Sequence, residues 1–194
     1  MSEFNPNNYQ ELTVKTTSIT GLYEIDLIVN GDNRGWFKEN YQQEKMEKAG
    51  LPHFVPVQNN FSYNKEMGVT RGLHAEPWDK FISVANGVVF GAWVDLRLGD
   101  GFGKSLTIEI NPGKAVFVPR GVANGYQTLE KDITYTYLVN DYWSPTTKYT
   151  FLNLFDPDVA INWPIPQEKA IVSDKDKHHP TIAQLMIELA KNNG

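Results

Sequence analysis

The chain has 194 residues, a formal net charge of −5 and no cysteine. The lack of cysteine excludes disulfides, cysteine-ligated zinc and thiol catalysis, and an acidic chain without a long basic run argues against nucleic acid as a partner. No apolar stretch indicates a signal peptide or a membrane span, so we expect a cytoplasmic protein. Because no linker-like composition divides the chain, residues 1–194 are predicted to form one domain.

Short apolar and β-branched runs, separated by Gly, Asn and Pro, dominate the sequence. This texture is typical of antiparallel sandwiches and barrels. The predicted strands cover residues 22–29, 54–62, 69–75, 80–85, 88–96, 105–110, 115–119, 125–129 and 133–139. The predicted fold class is therefore all-β.

Two glycine-containing turns stand out between these strands. Asn86-Gly87 tolerates positive φ and is the clearest two-residue hairpin signal, so the strands at 80–85 and 88–96 are predicted to pair. The glycine-rich segment 99–103 lacks the lysine and the helix that follow a P-loop, which favours a hairpin turn over a phosphate-binding loop.

Helical signals are confined to two segments. Residues 40–49 end at a glycine, and residues 180–191 carry Ile182, Leu185, Met186 and Leu189 at helical spacing behind a proline suited to the first turn. Both helices are short, and we expect them to pack against the outside of the sheets.

His74 is the most informative side chain, because it lies within a predicted buried strand. An imidazole there is either a satisfied core residue or a catalytic base. Arg71 precedes it by three residues and Lys80 follows it by six, so two cations can point into the same cavity. Such a cavity suits an anionic substrate and an anionic intermediate.

The pattern Gly113-x5-Pro119-x-Gly121-x-x-Asn124 resembles the second motif of the cupins, the double-stranded β-helix or jelly-roll proteins. A metal-binding cupin has a histidine at the position of Asn124, and its first motif is here reduced to His74-Ala75-Glu76. Imidazole binds transition metals durably and an amide does so poorly. The resemblance therefore implies a jelly roll with a few peripheral helices, and it argues against a metal.

An ordered series of motifs between about Ile25 and Pro180 resembles one family of such proteins, the dTDP-4-dehydrorhamnose 3,5-epimerases, and is most similar to their streptococcal-type members. The motifs that carry the resemblance are Asp32-Asn33-Arg34-Gly35-Trp36-Phe37-Lys38-Glu39, Gln58-Asn59-Asn60-Phe61-Ser62, Arg71-Gly72-Leu73-His74, His74-Ala75-Glu76-Pro77-Trp78-Asp79-Lys80, Val94-Asp95-Leu96-Arg97, Val118-Pro119-Arg120-Gly121, Asp156-Pro157, Trp163-Pro164 and Ser173-Asp174-Lys175-Asp176. The resemblance implies an enzyme of dTDP-L-rhamnose biosynthesis that inverts C3 and C5 of dTDP-4-dehydro-6-deoxy-D-glucose without a metal or another cofactor.

The resemblance also implies four catalytic roles. His74 is the general base, Asp176 orients it, Lys80 stabilises the enolate oxygen, and Tyr137 returns a proton to the opposite face of the ring. Each residue also has a simpler interpretation. Asp176 can be a solvated carboxylate, Tyr137 a packing residue of its strand, and Lys80 a charge on an edge strand.

The same resemblance implies a set of substrate-binding residues. Arg34 and Arg71 suit the two phosphates of a dTDP group, because a guanidinium binds phosphate through two parallel hydrogen bonds. The other implied binding residues are Glu39, Gln58, Asn60, Asn124, Trp143 and Lys175. Three positions depart from the family pattern: Asn124 replaces a common histidine, Gly91 an aspartate, and Trp143 a tyrosine.

Two other functions stay open at this point. One is a single-position epimerase or a 3,4-ketoisomerase that acts on a related nucleotide sugar, and the other is a sugar-binding jelly roll without catalysis. Family members are dimers whose N-terminal strands cross between subunits, so the resemblance also implies a homodimer, and the apolar segment 22–29 is compatible with it.

Overall fold

The computed structural model describes residues 4–192 and is dominated by β-strands. The strands are β1 (Thr13–Thr16), β2 (Tyr23–Asp26), β3 (Val29–Asp32), β4 (Gly35–Lys38), β5 (Gln58–Asn64), β6 (Thr70–Ala75), β7 (Lys80–Asn86), β8 (Val89–Asp95), β9 (Ser105–Ile110), β10 (Lys114–Val118), β11 (Val122–Thr128), β12 (Ile133–Val139) and β13 (Thr150–Phe151). The helices are α1 (Gln43–Lys48), α2 (Ile182–Asn192) and 3₁₀ turns at Pro6–Asn8, Gln167–Lys169 and Asp176–His178.

The strands form two large antiparallel sheets and one separate hairpin. The six-stranded sheet has the order β1-β2-β10-β7-β12-β5, and the five-stranded sheet has the order β13-β6-β11-β8-β9. Strands β3 and β4 pair only with each other in this part of the chain. The two sheets confirm the predicted all-β jelly roll with a few peripheral helices.

The main core lies between the two sheets. Ile82 and Val116 face inward from the six-stranded sheet, and Trp93 and Val122 face them from the five-stranded sheet. All four are at most 2% exposed. Burial of a large apolar side chain contributes about 1.5–3 kcal/mol, so this layer holds the two sheets in a fixed relation. The cavity described below opens between the same two sheets.

The helices pack on the outer faces of the sheets, as predicted. Met46 of α1 joins Phe54 and Phe81 on the six-stranded sheet. Leu185 of α2 joins Leu73 and Trp163 on the five-stranded sheet. Because both faces are covered at β7 and β8, these strands are buried along almost their whole length.

The predicted pairing of the strands around Asn86-Gly87 is wrong. Strand β7 pairs with β10 and β12, whereas β8 pairs with β9 and β11, so the turn carries the chain from one sheet to the other. Gly87 does adopt positive φ, at +74°. The Asn86 side chain bonds instead to the start of β12, accepting from Thr134 N at 3.2 Å and donating to Asp132 O at 2.6 Å. The turn at Gly87 was therefore predicted correctly, and the two-residue hairpin with its strand pairing was not.

Other predictions differ in detail. The strand expected at 22–29 is divided into β2 and β3, and the short strands β1, β4 and β13 were not predicted. The glycine-rich segment 99–103 joins β8 to β9 as a hairpin turn, as expected. The predicted domain of residues 1–194 includes positions 1–3 and 193–194, which lie outside the described part, and it stays a prediction. None of the helices within residues 4–192 is long and apolar enough to span a membrane.

Candidate active site

A cavity of about 210 Å³ opens between the two sheets and receives side chains from both. The five-stranded sheet contributes β6 and β11, and the six-stranded sheet contributes β5, β7 and β12. The lining residues are Ser62, Arg71, Gly72, His74, Glu76, Lys80, Asn124, Gly125, Tyr126, Tyr135 and Tyr137. The expectation that Arg71, His74 and Lys80 share one cavity is thus met.

His74 and Asp176 form a hydrogen-bonded pair at the cavity wall. His74 Nε2 lies 3.1 Å from Asp176 Oδ1, and their side chains are 33% and 8% exposed. Burial acts to raise the pKa of Asp176, but the hydrogen bond and the charge of His74 outweigh it, so the net pKa is lowered. Asp176 is therefore a buried partner of His74 and not a solvated carboxylate.

Two glycines allow the backbone beside His74 to approach the neighbouring strand. Gly72 has φ of +120°, and a Cβ atom there would lie 2.7 Å from Gly125 Cα and 2.8 Å from Asn124 O. The ladder between β6 and β11 shifts register at this point. Because any larger residue would push the strands apart, the pair of glycines fixes where β6 presents His74.

Lys80 is held in a buried polar network. Its Nζ atom donates to the Glu76 carboxylate and, at 3.2 Å, to Asn124 Oδ1. Asn124 Nδ2 donates in turn to Glu76 Oε2 at 2.8 Å and to His74 O at 2.7 Å. Strand β7 lies inside its sheet, so Lys80 is not the edge-strand charge of the simpler interpretation. The network fixes an ammonium group at the wall of the cavity.

Tyr137 faces the cavity from β12, on the sheet opposite to His74. Lys80 Nζ lies 4.6 Å from the centre of its ring, within the range of a cation–π interaction. Burial and the nearby charge of Glu76 raise the pKa of the Tyr137 hydroxyl, so it keeps its proton at neutral pH. The site therefore has a basic group on one wall and a protonated hydroxyl on the other.

A second cavity of about 230 Å³ shares Glu76 and Tyr137 with the first. Three predicted binding residues line it: Gln58, Asn60 and Trp143. Gln58 links the other two, since its Nε2 donates to Asn60 Oδ1 at 2.9 Å and its Oε1 accepts from Trp143 N at 3.3 Å. These residues lie beside the catalytic candidates, as expected.

Lys175 and Gly91 line neither of the two cavities. Lys175 Nζ lies 4.9 Å from the ring centre of Phe151, whose ring also contacts His74 edge-on. A Cβ atom at Gly91 would meet the indole of Trp93 at 2.4 Å. The Trp93 ring therefore fills the space that a side chain at position 91 would need.

Arg34 and Glu39 do not join the other site residues within this chain. Arg34 lies in the turn of the β3–β4 hairpin, 86% exposed, and pairs with Asp32 at 2.5 Å. Glu39 pairs with Lys45 at 2.8 Å. Neither residue lines the cavity of His74 or the cavity of Trp143.

Two residues of the site were not singled out from the sequence. Glu76 was noted only as the remnant of a metal motif, although it binds both Lys80 and Asn124. His179 is buried and lies 3.7 Å from Asp176 Oδ1. Burial and the charge of His74 lower the pKa of His179. The histidine three positions after Asp176 was the available signal, since a tight turn places such residues on one side.

The two-sheet jelly roll with a polar cavity between its sheets is the architecture of the cupin class of proteins. A sequence model of the dTDP-4-dehydrorhamnose 3,5-epimerases matches residues 16–184. The chain therefore belongs to the dTDP-4-dehydrorhamnose 3,5-epimerase family, which is a family of enzymes.

Individual relatives agree with this assignment. The chain is 51% identical over 174 residues to a protein named RmlC homolog from Streptococcus pyogenes, with 86% of this chain and 87% of the relative covered. The structure of RmlC from Streptococcus suis in complex with dTDP-D-xylose superimposes with a TM-score of 0.86 at 49% identity, covering 90% of this chain and 93% of that one. The structure of RmlC from Legionella pneumophila in complex with dTDP-4-keto-L-rhamnose superimposes with a TM-score of 0.82 at 31% identity, covering 92% of this chain and 97% of that one.

Proposed function

We propose that this chain converts dTDP-4-dehydro-6-deoxy-D-glucose to dTDP-4-dehydro-L-rhamnose by epimerisation at C3 and C5, in dTDP-L-rhamnose biosynthesis. One observation carries the proposal: His74 and Tyr137 face one cavity from opposite sheets. Inversion of a carbon requires that a proton leaves one face of the sugar and returns to the other. A base and an acid on opposite walls meet that requirement.

Proton abstraction is assigned to His74. The C3 and C5 protons of a 4-keto sugar are acidic because the carbanion delocalises onto O4 as an enolate. His74 Nε2 faces Asp176, so a proton on Nε2 leaves Nδ1 as the acceptor for the substrate proton. Asp176 thus selects the tautomer and stabilises the imidazolium that forms.

Stabilisation of the enolate is assigned to Lys80. An ammonium held in place beforehand interacts more strongly with an enolate oxygen than with a neutral ketone, which is the condition for lowering the barrier. Glu76 and Asn124 hold Nζ in a fixed position, so little reorganisation is needed when the charge develops. Glu76 and Asn124 act here as positioning residues.

Proton delivery is assigned to Tyr137. Its hydroxyl proton goes to the enolate carbon on the face away from His74, the C–C double bond of the enolate becomes a single bond, and the O4 carbonyl re-forms. Solvent then returns a proton to Tyr137 and removes one from His74. The sequence is a net isomerisation at each carbon and consumes no cofactor.

Binding of the nucleotide is assigned to residues around the two joined cavities. Arg71 Nε is held by Asn64 Oδ1 at 3.0 Å, which leaves the two terminal nitrogens of the guanidinium for a phosphate. Gln58, Asn60 and Trp143 line the adjoining cavity, where an indole can stack on a base. Asn124 is assigned to the sugar, and Lys175 to the nucleotide or the sugar.

Arg34 and Glu39 are assigned to the site of a partner copy in a homodimer. The β3–β4 hairpin packs on the N-terminal segment, with Val29 N donating to Tyr9 O at 2.9 Å. Its aromatic side chains are exposed, Phe37 by 70% and Trp36 by 37%. Exposed aromatics on a projecting hairpin indicate an interface, and a two-fold dimer would bring Arg34 to the other cavity. The cytoplasmic location stays a prediction.

Conversion of the substrate tests the proposal. Incubation with dTDP-4-dehydro-6-deoxyglucose is expected to give an L-configured 4-keto sugar by NMR, and NADPH consumption once the reductase of the next step is added. Inversion at only one carbon would indicate a single-position epimerase. Binding of the substrate without any product would indicate a sugar-binding protein.

A further inference from the structure

A second histidine lies behind the His74–Asp176 pair and has no part in the proposed reaction. His179 Nε2 lies 3.7 Å from Asp176 Oδ1, the same oxygen that His74 Nε2 approaches at 3.1 Å. The ligand atoms of the three side chains all lie within 4.8 Å of one another. Two imidazole nitrogens and a carboxylate oxygen therefore converge beside the cavity.

His179 is buried without a hydrogen bond. Its side chain is 6% exposed, and neither ring nitrogen has a partner at hydrogen-bond distance and angle among the described residues, although the Gly72 backbone is near enough to act on the pKa of the ring. Its ring is held by stacking on Phe151, with the ring centres 4.7 Å apart. Buried polar atoms without partners are rare in native structures, and each needs an explanation. A nitrogen with a free lone pair near a carboxylate is suited to a metal ion.

Two of the three separations between ligand atoms, those that involve Asp176, are close to the values around such an ion, and the third is at most 4.8 Å. Zinc binds histidine nitrogen and carboxylate oxygen at about 2.0–2.2 Å, so two ligand atoms on one tetrahedral ion are about 3.4 Å apart. The separations of 3.1 Å and 3.7 Å lie on either side of this value. The His74 side chain is one-third exposed at the cavity, which gives the ion a route of entry.

We propose that His74, Asp176 and His179 form a binding site for a divalent transition metal ion such as Zn²⁺, and that the bound ion inhibits the enzyme. Two histidines and one carboxylate with an open fourth position are a common ligand set for such ions. An imidazole that donates its Nε2 lone pair to a metal carries its proton on Nδ1, so it cannot accept a proton from the substrate. The prediction of a metal-free reaction still holds, because the bound ion opposes the reaction and takes no part in it.

The charges around the proposed site limit its affinity for a metal ion. Arg71 and Lys80 line the same cavity and repel a cation, although Glu76 offsets the charge of Lys80. Asp176 supplies the only negative ligand of the set. We therefore expect reversible binding that is weaker than binding at a structural zinc site.

Calorimetric titration of the full chain with Zn²⁺, after dialysis against a chelator, tests the site, and the visible spectrum with Co²⁺ reports the ligand set. We expect one ion per chain. His179→Phe keeps the aromatic stack and is expected to weaken Zn²⁺ binding on the order of tenfold or more, as for loss of one of three ligands. His178→Phe, at the exposed neighbouring histidine, is the matched control and should bind as the wild type does.

His74→Asn removes the other nitrogen ligand from a less buried position, so it decides the question if His179→Phe does not fold. Absence of saturable binding, or unchanged affinity in His179→Phe or in His74→Asn, would overturn the proposal. An equal loss in His178→Phe would do the same. Binding is measured without substrate, so its failure is separate from failure of the proposed epimerisation. Epimerisation by the chelator-treated enzyme should fall as Zn²⁺ saturates the site, and full turnover at saturation would disprove inhibition.

Discussion

Among single residues, His74 and Tyr137 are assigned different steps of the reaction, so their substitutions should affect proton exchange and turnover differently. Tyr137→Phe keeps the ring over which Lys80 lies but removes the hydroxyl proton. In heavy water, we expect deuterium to enter recovered substrate while inverted product falls by on the order of 10²-fold, as for loss of a general acid. The reason is that His74 returns a solvent-derived proton to the face it came from.

Tyr142→Phe is the matched control for this substitution, because Tyr142 is 68% exposed and lines neither joined cavity. It should change neither exchange nor turnover. If Tyr137→Phe abolished exchange as well as product, Tyr137 would have a part in forming the enolate and not only in delivering the proton.

Substitution of Lys80 and substitution of Arg34 should change different kinetic constants. Lys80→Ala is expected to lower kcat by on the order of 10²–10³-fold with little change in KM, because the enolate charge exists only after the proton has left. Arg34→Ala is expected to raise KM through lost phosphate contacts. Steady-state kinetics measures both, with the exposed Lys65→Ala as a control for charge. A change in KM alone for Lys80→Ala would refute its place at O4.

At the scale of elements, the β3–β4 hairpin is the test of the shared site. If Arg34 acts in the partner's cavity, co-expression of Arg34→Ala with His74→Asn creates mixed dimers in which one of the two sites is intact. At substrate concentrations far below the KM of Arg34→Ala, random pairing then gives about a quarter of wild-type turnover, since half of the dimers are mixed and each of these has one intact site. Turnover by the co-expressed and separately purified proteins measures this recovery.

A second pair of co-expressed variants shows whether the recovery of turnover depends on the β3–β4 hairpin. His74→Asn mixed with Tyr137→Phe should recover nothing, because both residues line the cavity of the same chain. Absence of recovery with Arg34→Ala would place Arg34 outside the partner's site.

The positions of strands and helices along the chain were predictable where local chemistry decides them. The pairing of the strands within the sheets was not. Strands β5 to β12 and both helices lie near their predicted positions, because runs of β-branched residues and turn glycines are local signals. The partners of β7 and β8 depend on which sheet each strand joins, which Asn86-Gly87 does not specify. The hairpin β3–β4 was not predicted, since its strands are short and mostly exposed.

The site was predictable only in part. The grouping of Arg71, His74 and Lys80 followed from spacing along two strands, while the approach of Asp176 across 102 residues of chain depended on the family resemblance. Glu76 was missed because Asn124 reaches it from another strand, and His179 was missed although its spacing of three residues from Asp176 was a local signal.

At the scale of the whole molecule, Lys38 links stability to pH. Its Nζ donates to Val84 O at 2.8 Å and Pro112 O at 2.9 Å, joining β4 to the six-stranded sheet. Burial lowers the pKa of Lys38 from 10.5 to about 8. Between these values the unfolded chain binds a proton that the folded chain does not, so the free energy of unfolding should rise with pH, by at most about 1.4 kcal/mol per unit from this group.

Urea denaturation at several pH values between 7.5 and 9.5, at one protein concentration, measures this slope. Lys38→Met should remove the contribution, and Lys65→Met, at an exposed position, should keep it. Equal slopes in the wild type and Lys38→Met would show that Lys38 keeps an ordinary pKa in the folded chain.

The central claim is that the enzyme removes and returns protons at two carbons of one sugar through His74. Incubation of the substrate in heavy water, followed by NMR of the product, tests it most directly. We expect deuterium at both C3 and C5 with the wild type, and loss of both signals by on the order of 10²-fold or more in His74→Asn. Product that carries deuterium at one carbon only, or exchange that persists at full rate in His74→Asn, would contradict it.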